Sequence, residues 1–320
     1  MQAKDLFRRG AGVLALVAIA TITAAGCGDG SDLKSGDGKG LEGTIRIDGS
    51  STVAPLSEAA AELYQAENKD VRVTVGTSGT GGGFEKFCAG ETDISDASRP
   101  IKPEEKAVCD KASIKYDEFQ VANDGLAVVV SNDNDWASCL TVDQLKKIWD
   151  AGSKVDNWKD VDASFPDQEL ELYGPGTDSG TFDYFTDVIN GEEGQSRTDF
   201  NATEDDNVIV QGVAGSKGGL GYFGLSYAEQ NADKLKAIEV DGGDGCVAPN
   251  TETVQGGTYK PLSRQLFIYP AVKVLARPEG ESFVEFYIAN TTKIAEQALF
   301  VPLTDEQSAA LKTQLDELKG

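Results

Sequence analysis

Three times in this chain a run of strand-forming residues breaks into a loop of glycine, serine and threonine, and the loop then enters a helix. The loops are Asp48-Gly49-Ser50-Ser51-Thr52-Val53-Ala54-Pro55, Gly76-Thr77-Ser78-Gly79-Thr80-Gly81-Gly82-Gly83-Phe84 and Thr177-Asp178-Ser179-Gly180-Thr181-Phe182. Strands are expected before them at 44–48, 71–75 and 169–173. Helices are expected after them at 53–67, 82–89 and 182–189. In the first of these helices Val53, Leu56, Ala60, Leu63 and Tyr64 recur at helical spacing. The alternation continues, with strands expected at 126–130, 219–223, 235–240, 266–269 and 271–275. Further helices are expected at 141–149 (Thr141 as N-cap), at 207–213 and over most of 281–318. Strands alternating with helices of this length predict an α/β fold with largely parallel sheets.

The N-terminus reads as an export signal. Lys4, Arg8 and Arg9 precede an uncharged stretch from Gly10 to Ala25, too short for a membrane span but suited to a signal peptide. It ends in Ala24-Ala25-Gly26-Cys27, which resembles a lipobox. Residues 1–26 are therefore expected to be a lipoprotein signal peptide and Cys27 the lipidated residue. Residues 27–42, rich in glycine, serine and charge, are expected to be a flexible linker. The remaining length suits two lobes rather than one core. The expected division places 43–124 with 266–320 in lobe one and 125–265 in lobe two, with crossings near 123–128 and 266–270 and the ligand held between lobes.

Composition narrows the chemistry. The net charge is −24, and −26 once the leader's three cations and one anion are removed, which excludes nucleic acid and an anionic membrane surface as partners. The chain has no histidine, so Ser-His and Cys-His nucleophiles and histidine-ligated metals are excluded. Four cysteines follow Cys27, an even count that in an exported chain reads as two disulfides. Three pairings are possible; the lobe division favours Cys88–Cys109 and Cys139–Cys246. No C-x-x-C spacing is present, and neither a metal nor a cofactor is expected.

A helix start leaves its first N–H groups unpaired and carries about half a positive charge. Serine and threonine add hydroxyl donors. One such loop is also what an ordinary N-cap looks like, but three after strands point to a common anion. No lysine stands at the phosphate-loop position after Gly79–Gly83, so a Walker A site is excluded. Asp178-Ser179-Gly180 is similar to a serine-protease nucleophile segment but has no histidine base. Arg99, in Asp96-Ala97-Ser98-Arg99-Pro100-Ile101, could fork onto an oxyanion or pair with a surface carboxylate. Arg197 is a second candidate cation.

These motifs, with Glu204-Asp205-Asp206-Asn207-Val208-Ile209-Val210-Gln211-Gly212-Val213, resemble the phosphate-binding subunit (PstS type) of phosphate ABC transporters over about residues 44–310. The resemblance implies a two-lobed type II periplasmic-binding-protein fold, with mixed, mostly parallel sheets flanked by helices. It also implies closure on phosphate and delivery to a membrane permease and its ATPase, by a monomer on the extracytoplasmic face. Carried over by motif, Ser51, Thr52, Ser78, Thr80, Ser179, Gly180 and Thr181 would donate to the anion. Two columns depart from the family. Ser98, followed by Arg99, stands where an aspartate accepts the ligand's proton, and Pro175 stands where an arginine precedes the third loop. Arg99 and Arg197 would then supply the cation, and Asp178, Asp96 and Asp206 are candidate proton acceptors. The alternatives are a binder of another oxyanion such as sulfate, a non-transport surface lipoprotein or a hydrolase on the same fold.

Overall fold

The computed structural model describes residues 40–319. The expected signal peptide, Cys27 and linker residues 27–39 lie outside the described residues.

The first half of the described chain alternates as the loops require. It runs β1 (Gly43–Gly49), α1 (Ala54–Glu67), β2 (Val71–Gly76), α2 (Gly79–Cys88), β3 (Ile94–Ala97) and α3 (Pro103–Lys111). A long strand follows, β4 (Phe119–Ser131). Next come β5 (Cys139–Thr141), α4 (Val142–Trp149), α5 (Trp158–Val161), β6 (Glu171–Gly174) and α6 (Gly180–Phe185), which continues as a π-helical turn over Thr186–Asn190. After these come β7 (Asn201–Ala202), α7 (Asp206–Gly215), β8 (Gly219–Gly224), β9 (Leu235–Ala237), β10 (Glu239–Asp241), β11 (Cys246–Val247) and β12 (Ser263–Pro270). Thr141 caps α4 as expected, accepting a hydrogen bond from the Gln144 amide.

The main sheet has the order β2-β1-β3-β12-β4-β8-β6-β7, with β9 also paired to β4. Its flanks are parallel: β1 with β2 and β3, and β6 with β7 and β8. Its centre is not, because β12 runs antiparallel to β3 and β4, and β4 antiparallel to β8 and β9. Within this sheet the expected parallel pairing is found on the flanks, and in a second, three-stranded sheet β10 runs parallel to β5 and antiparallel to β11. The two central strands carry the chain out of the first half and back into it, so they must oppose one another.

β4 is where two hydrophobic cores divide. Phe119, Val121 and Ala122 pack with Ile45, Leu56, Leu266 and Ile268, whereas Leu126 to Val130 pack with Trp149, Phe185, Tyr222 and Leu262. Between them lie buried Asn123 and Asp124, then Gly125, whose place a Cβ would bring within 2.7 Å of Val254. The register follows the same division: Gly125 pairs with Ser263 of β12, and Leu126 with Gly224 of β8. Just ahead of β12 the Leu126 amide donates to the Leu262 carbonyl.

Two expected strands are corrected. Residues 271–275 form a short helix (Val272–Leu275), since β12 ends at Pro270 and an apolar run this short carries no period of its own. Residues 235–240 split into β9 and β10, which belong to different sheets. Cys88 is bonded to Cys109, and Cys139 to Cys246, closing 21 and 107 residues of chain. Loops of that length correspond to about 3 and about 5 kcal/mol in the chain-entropy account.

Candidate functional site

The ends of β1, β2 and β3 lie side by side, so their loops emerge at one edge of the sheet. Gly49 is forced by this packing: φ is +152°, and a Cβ would meet the Asp96 carbonyl at 2.1 Å. The Ser50 amide donates to that carbonyl at 2.9 Å, and the Ser50 carbonyl accepts from Val53 and Ala54. The turn leaves the Ser51 and Thr52 amides without a protein partner among the described residues. Gly83 allows a second close approach, since a Cβ there would meet Gly49 Cα at 2.5 Å. Gly83 therefore lets α2 seat on the sheet.

A cleft of about 690 Å³ opens at this edge. Ser50, Ser51 and Thr52 border it from the first loop, Ser78 to Gly81 from the second, and Ser98, Arg99 and Lys102 from the segment after β3. Opposite them stand Gly180, Asp183, Tyr184, Asp187 and Glu193, with Arg264 of β12. The two sides meet closely at one point: a Cβ on Gly180 would lie 2.6 Å from Thr52 Oγ1 and 3.1 Å from its amide. Only glycine fits there.

The hydroxyls are not equivalent. Ser78 donates both its amide (3.1 Å) and its Oγ to Asp48 Oδ1, and Lys86 donates to Asp48 Oδ2 at 2.7 Å. Burial raises the Asp48 pKa, but hydrogen bonds from Lys86 and Ser78 outweigh it and hold the carboxyl below its usual range. The Ser78 hydroxyl hydrogen is thus engaged. Thr80 Oγ1 lies 3.1 Å from Ser98 Oγ and accepts from the Ser98 amide at 3.2 Å, so this hydroxyl pair keeps a hydrogen for a ligand. Ser179 caps α6, its Oγ accepting from the Thr181 amide at 3.2 Å. Ser179 and Thr181 therefore shape the α6 start, and of this loop Gly180 reaches the cleft.

Of the two arginines expected at the site, the structure brings one to it. Arg99 borders the cleft with both terminal nitrogens on Glu105, at 2.9 and 2.7 Å. Arg197 does not reach it. It is buried, donates to Asp199 at 2.6 Å and to the carbonyls of Ile148 and Val155 at 3.1 and 2.7 Å, and so ties the end of α4 and the chain after it to the loop ahead of β7. None of the three candidate proton acceptors borders the cleft. Asp178 is exposed. Asp206, first residue of α7, is pushed up to about 6 by burial and then by Asp205 and Glu204. Asp96 is fully buried beneath the first loop, accepts from Ser57 Oγ at 2.8 Å, and is pushed up to about 8 chiefly by burial. The carboxylates that do border it are Asp183, Asp187 and Glu193. Burial and then Glu193 raise the Asp183 pKa, partly offset by Arg264.

Arg264 was not legible as a site residue because its strand is expected to begin at Leu266; β12 begins at Ser263 and so includes it. It donates to Thr52 Oγ1 at 2.8 Å and to Asp124 Oδ2 at 3.0 Å.

Comparison with known proteins bears on the family and the fold. A family model described as a PBP superfamily domain matches residues 34–291. The phosphate-binding protein PstS of Staphylococcus saprophyticus is 44% identical over 303 residues, covering 94% of this chain and 92% of that one. The chain belongs to the PBP superfamily and, within it, to the PstS type. Another relative, the protein SphX of Synechococcus elongatus, is 49% identical over 262 residues, 81% of this chain and 77% of its own. A solved structure of "a possible phosphate binding protein" from Planctomyces limnophilus superposes with a TM-score of 0.84 at 46% identity, covering 88% of this chain and all of that one. The fold of this chain is thus the two-lobed type II architecture expected above.

Proposed function

We propose that this chain binds inorganic phosphate in the cleft and delivers it to the permease and ATPase of an ABC importer. The convergence on one cleft of the hydroxyl- and glycine-rich loops after β1 and β2, the segment after β3 and the α6 start carries this reading. Ser51, Thr52, Thr80, Ser98 and Gly180 supply neutral donors there, and Arg99 adds charge. Ser78, Ser179 and Thr181 shape the same loops. Residues 43–124 with 266–320 act as one lobe and 125–265 as the other, flexing about β4 and β12, and closure excludes water from the anion. The cleft carboxylates favour a ligand that keeps a proton: hydrogen phosphate can donate to Asp183, whereas sulfate meets it with no hydrogen to share. The names of the PstS and Planctomyces relatives point the same way.

Binding proceeds without catalysis in this reading, since the chain has no histidine to serve as base for a cleft hydroxyl. No helix among the described residues is long and apolar enough to cross a membrane. The protein is held at the extracytoplasmic face as a monomer by lipid on Cys27. Calorimetric titration of the phosphate-stripped protein with phosphate and with sulfate tests the proposal. Tight phosphate binding with far weaker sulfate binding is expected; equal affinities defeat the specificity, and heat from neither ligand defeats the transport role.

A further inference from the structure

The two arginines at the cleft are held differently. Arg99 is about a third exposed (32%), and its terminal nitrogens are spent on Glu105 and the Pro100 carbonyl. Arg264 is half as exposed (16%), and its guanidinium lies 3.7 Å from the centroid of the Tyr184 ring. Its Nε donates to Asp124 Oδ2 at 3.0 Å and one Nη to Thr52 Oγ1 at 2.8 Å. A guanidinium has five N–H groups. The other three have no protein partner among the described residues, and the side chain borders the cleft.

Its partners come from every part of the molecule that must move together. Arg264 is on β12 and Asp124 on β4, the two strands that join the halves. Thr52 belongs to the loop after β1. Tyr184 is on α6 in the opposite half, its hydroxyl donating to the Pro261 carbonyl at 2.6 Å. The ring fixes the plane of the guanidinium and Asp124 fixes its rotation, which pre-organises a planar fork for an oxyanion. Thr52 Oγ1 accepts from Arg264, so its own hydrogen is directed elsewhere, and a hydroxyl polarised this way is a stronger donor.

We propose that Arg264 supplies the buried positive charge of the site and ties the two halves together around the bound anion, with Asp124 as its positioning residue. This rests on the phosphate reading above and assigns to β12 a role first expected of Arg197. The anion receives N–H groups directly from Arg264 and a hydroxyl through Thr52, while the Tyr184 ring of the opposite half stays packed against the same guanidinium.

The test is calorimetric titration of the full-length protein with inorganic phosphate, for wild type, Arg264→Gln, Arg264→Lys, Asp124→Asn and the double variant Arg264→Gln/Asp124→Asn. Near-ultraviolet circular dichroism checks the fold of each. Arg264→Gln is expected to weaken binding by about a hundredfold or more, and Arg264→Lys, which keeps charge but loses the fork, by about tenfold. Asp124→Asn is expected to cost about tenfold alone and nothing further in the double variant, because it acts only through Arg264. A purely structural Asp124 would instead add its effect to that of Arg264→Gln. Small-angle scattering at saturating phosphate should show less compaction in Arg264→Gln than in wild type. A folded Arg264→Gln protein within about threefold of wild type overturns the inference; should that variant not fold, wild-type affinity in Arg264→Lys overturns it. Wild-type protein that binds no phosphate overturns the reading beneath it, and this inference with it.

Discussion

The first half of the chain borders the cleft with three loops that follow neighbouring strands, and the second half borders it with the start of α6 and a wall of carboxylates. The first side offers backbone amides and the Thr80–Ser98 hydroxyl pair, held by packing so close that Gly49 and Gly83 admit no side chain. The opposite side offers Gly180 as a seat for Thr52, with Asp183, Asp187 and Glu193 around it. The contrast teaches that one side recognises an oxyanion and the other decides how closely the halves meet and which protonation state is admitted. Neutral donors bind a dianion without fixing its number of protons; carboxylates do fix it.

Substitutions on the two sides should therefore fail differently. Gly180→Val should have the largest effect on binding. Its Cβ would fall 2.6 Å from Thr52 Oγ1, so the halves cannot close, and phosphate affinity measured by calorimetry should drop by about a hundredfold or more, near 3 kcal/mol. Wild-type affinity in that variant would break the comparison at its centre. Arg197→Ala separates structure from binding within the second half. Losing the donors to the Ile148 and Val155 carbonyls should lower stability by about 2–3 kcal/mol in urea unfolding, while the folded fraction keeps its phosphate affinity. A loss of affinity without loss of stability would return Arg197 to the site.

On the first side, Thr80→Val, Ser98→Ala and Arg99→Ala should each weaken phosphate binding by about tenfold, roughly 1.4 kcal/mol. An unchanged Arg99→Ala protein would reduce Arg99 to a partner of Glu105 alone. The last effect lies beneath the first loop and falls on stability rather than on binding. Burial raises the Asp96 pKa from 3.8 to about 8, so between those values the unfolded chain has released a proton that the folded protein keeps. Stability contributed by that proton is fully present below pH 3.8 and is lost as pH rises through about 8. The melting temperature of wild type should fall over that window, and Asp96→Asn should flatten the decline. An equal decline in both would remove Asp96 as its source.

The parts of this site that were legible in sequence are those written locally. Glycine, serine and threonine after a strand-forming run announce a strand end and a helix start, so the loops at Ser51, Thr80 and Gly180 could be named before their positions were known. The parts that escaped depend on three-dimensional placement. Arg264 stands in Leu262-Ser263-Arg264-Gln265-Leu266, where the polar residues disguise the start of β12. Arg197 and Arg264 look alike as letters, and only burial against Ile148 and Val155 separates one from the other. Asp183 is an ordinary first-turn acidic residue until Glu193 and Arg264 are brought beside it. The antiparallel centre of the sheet escaped for the same reason, since strand direction at a crossing is set by where the chain must return.

The most direct measurement is a structure determined with phosphate. One anion is expected in the cleft, with oxygens within about 3.2 Å of donors from both sides: the Ser51–Thr52 turn and the Thr80–Ser98 pair on one, Gly180 on the other, and Arg264 on the strand that joins them. An anion bound outside the cleft, or held by one side alone while the halves stay apart, would contradict it.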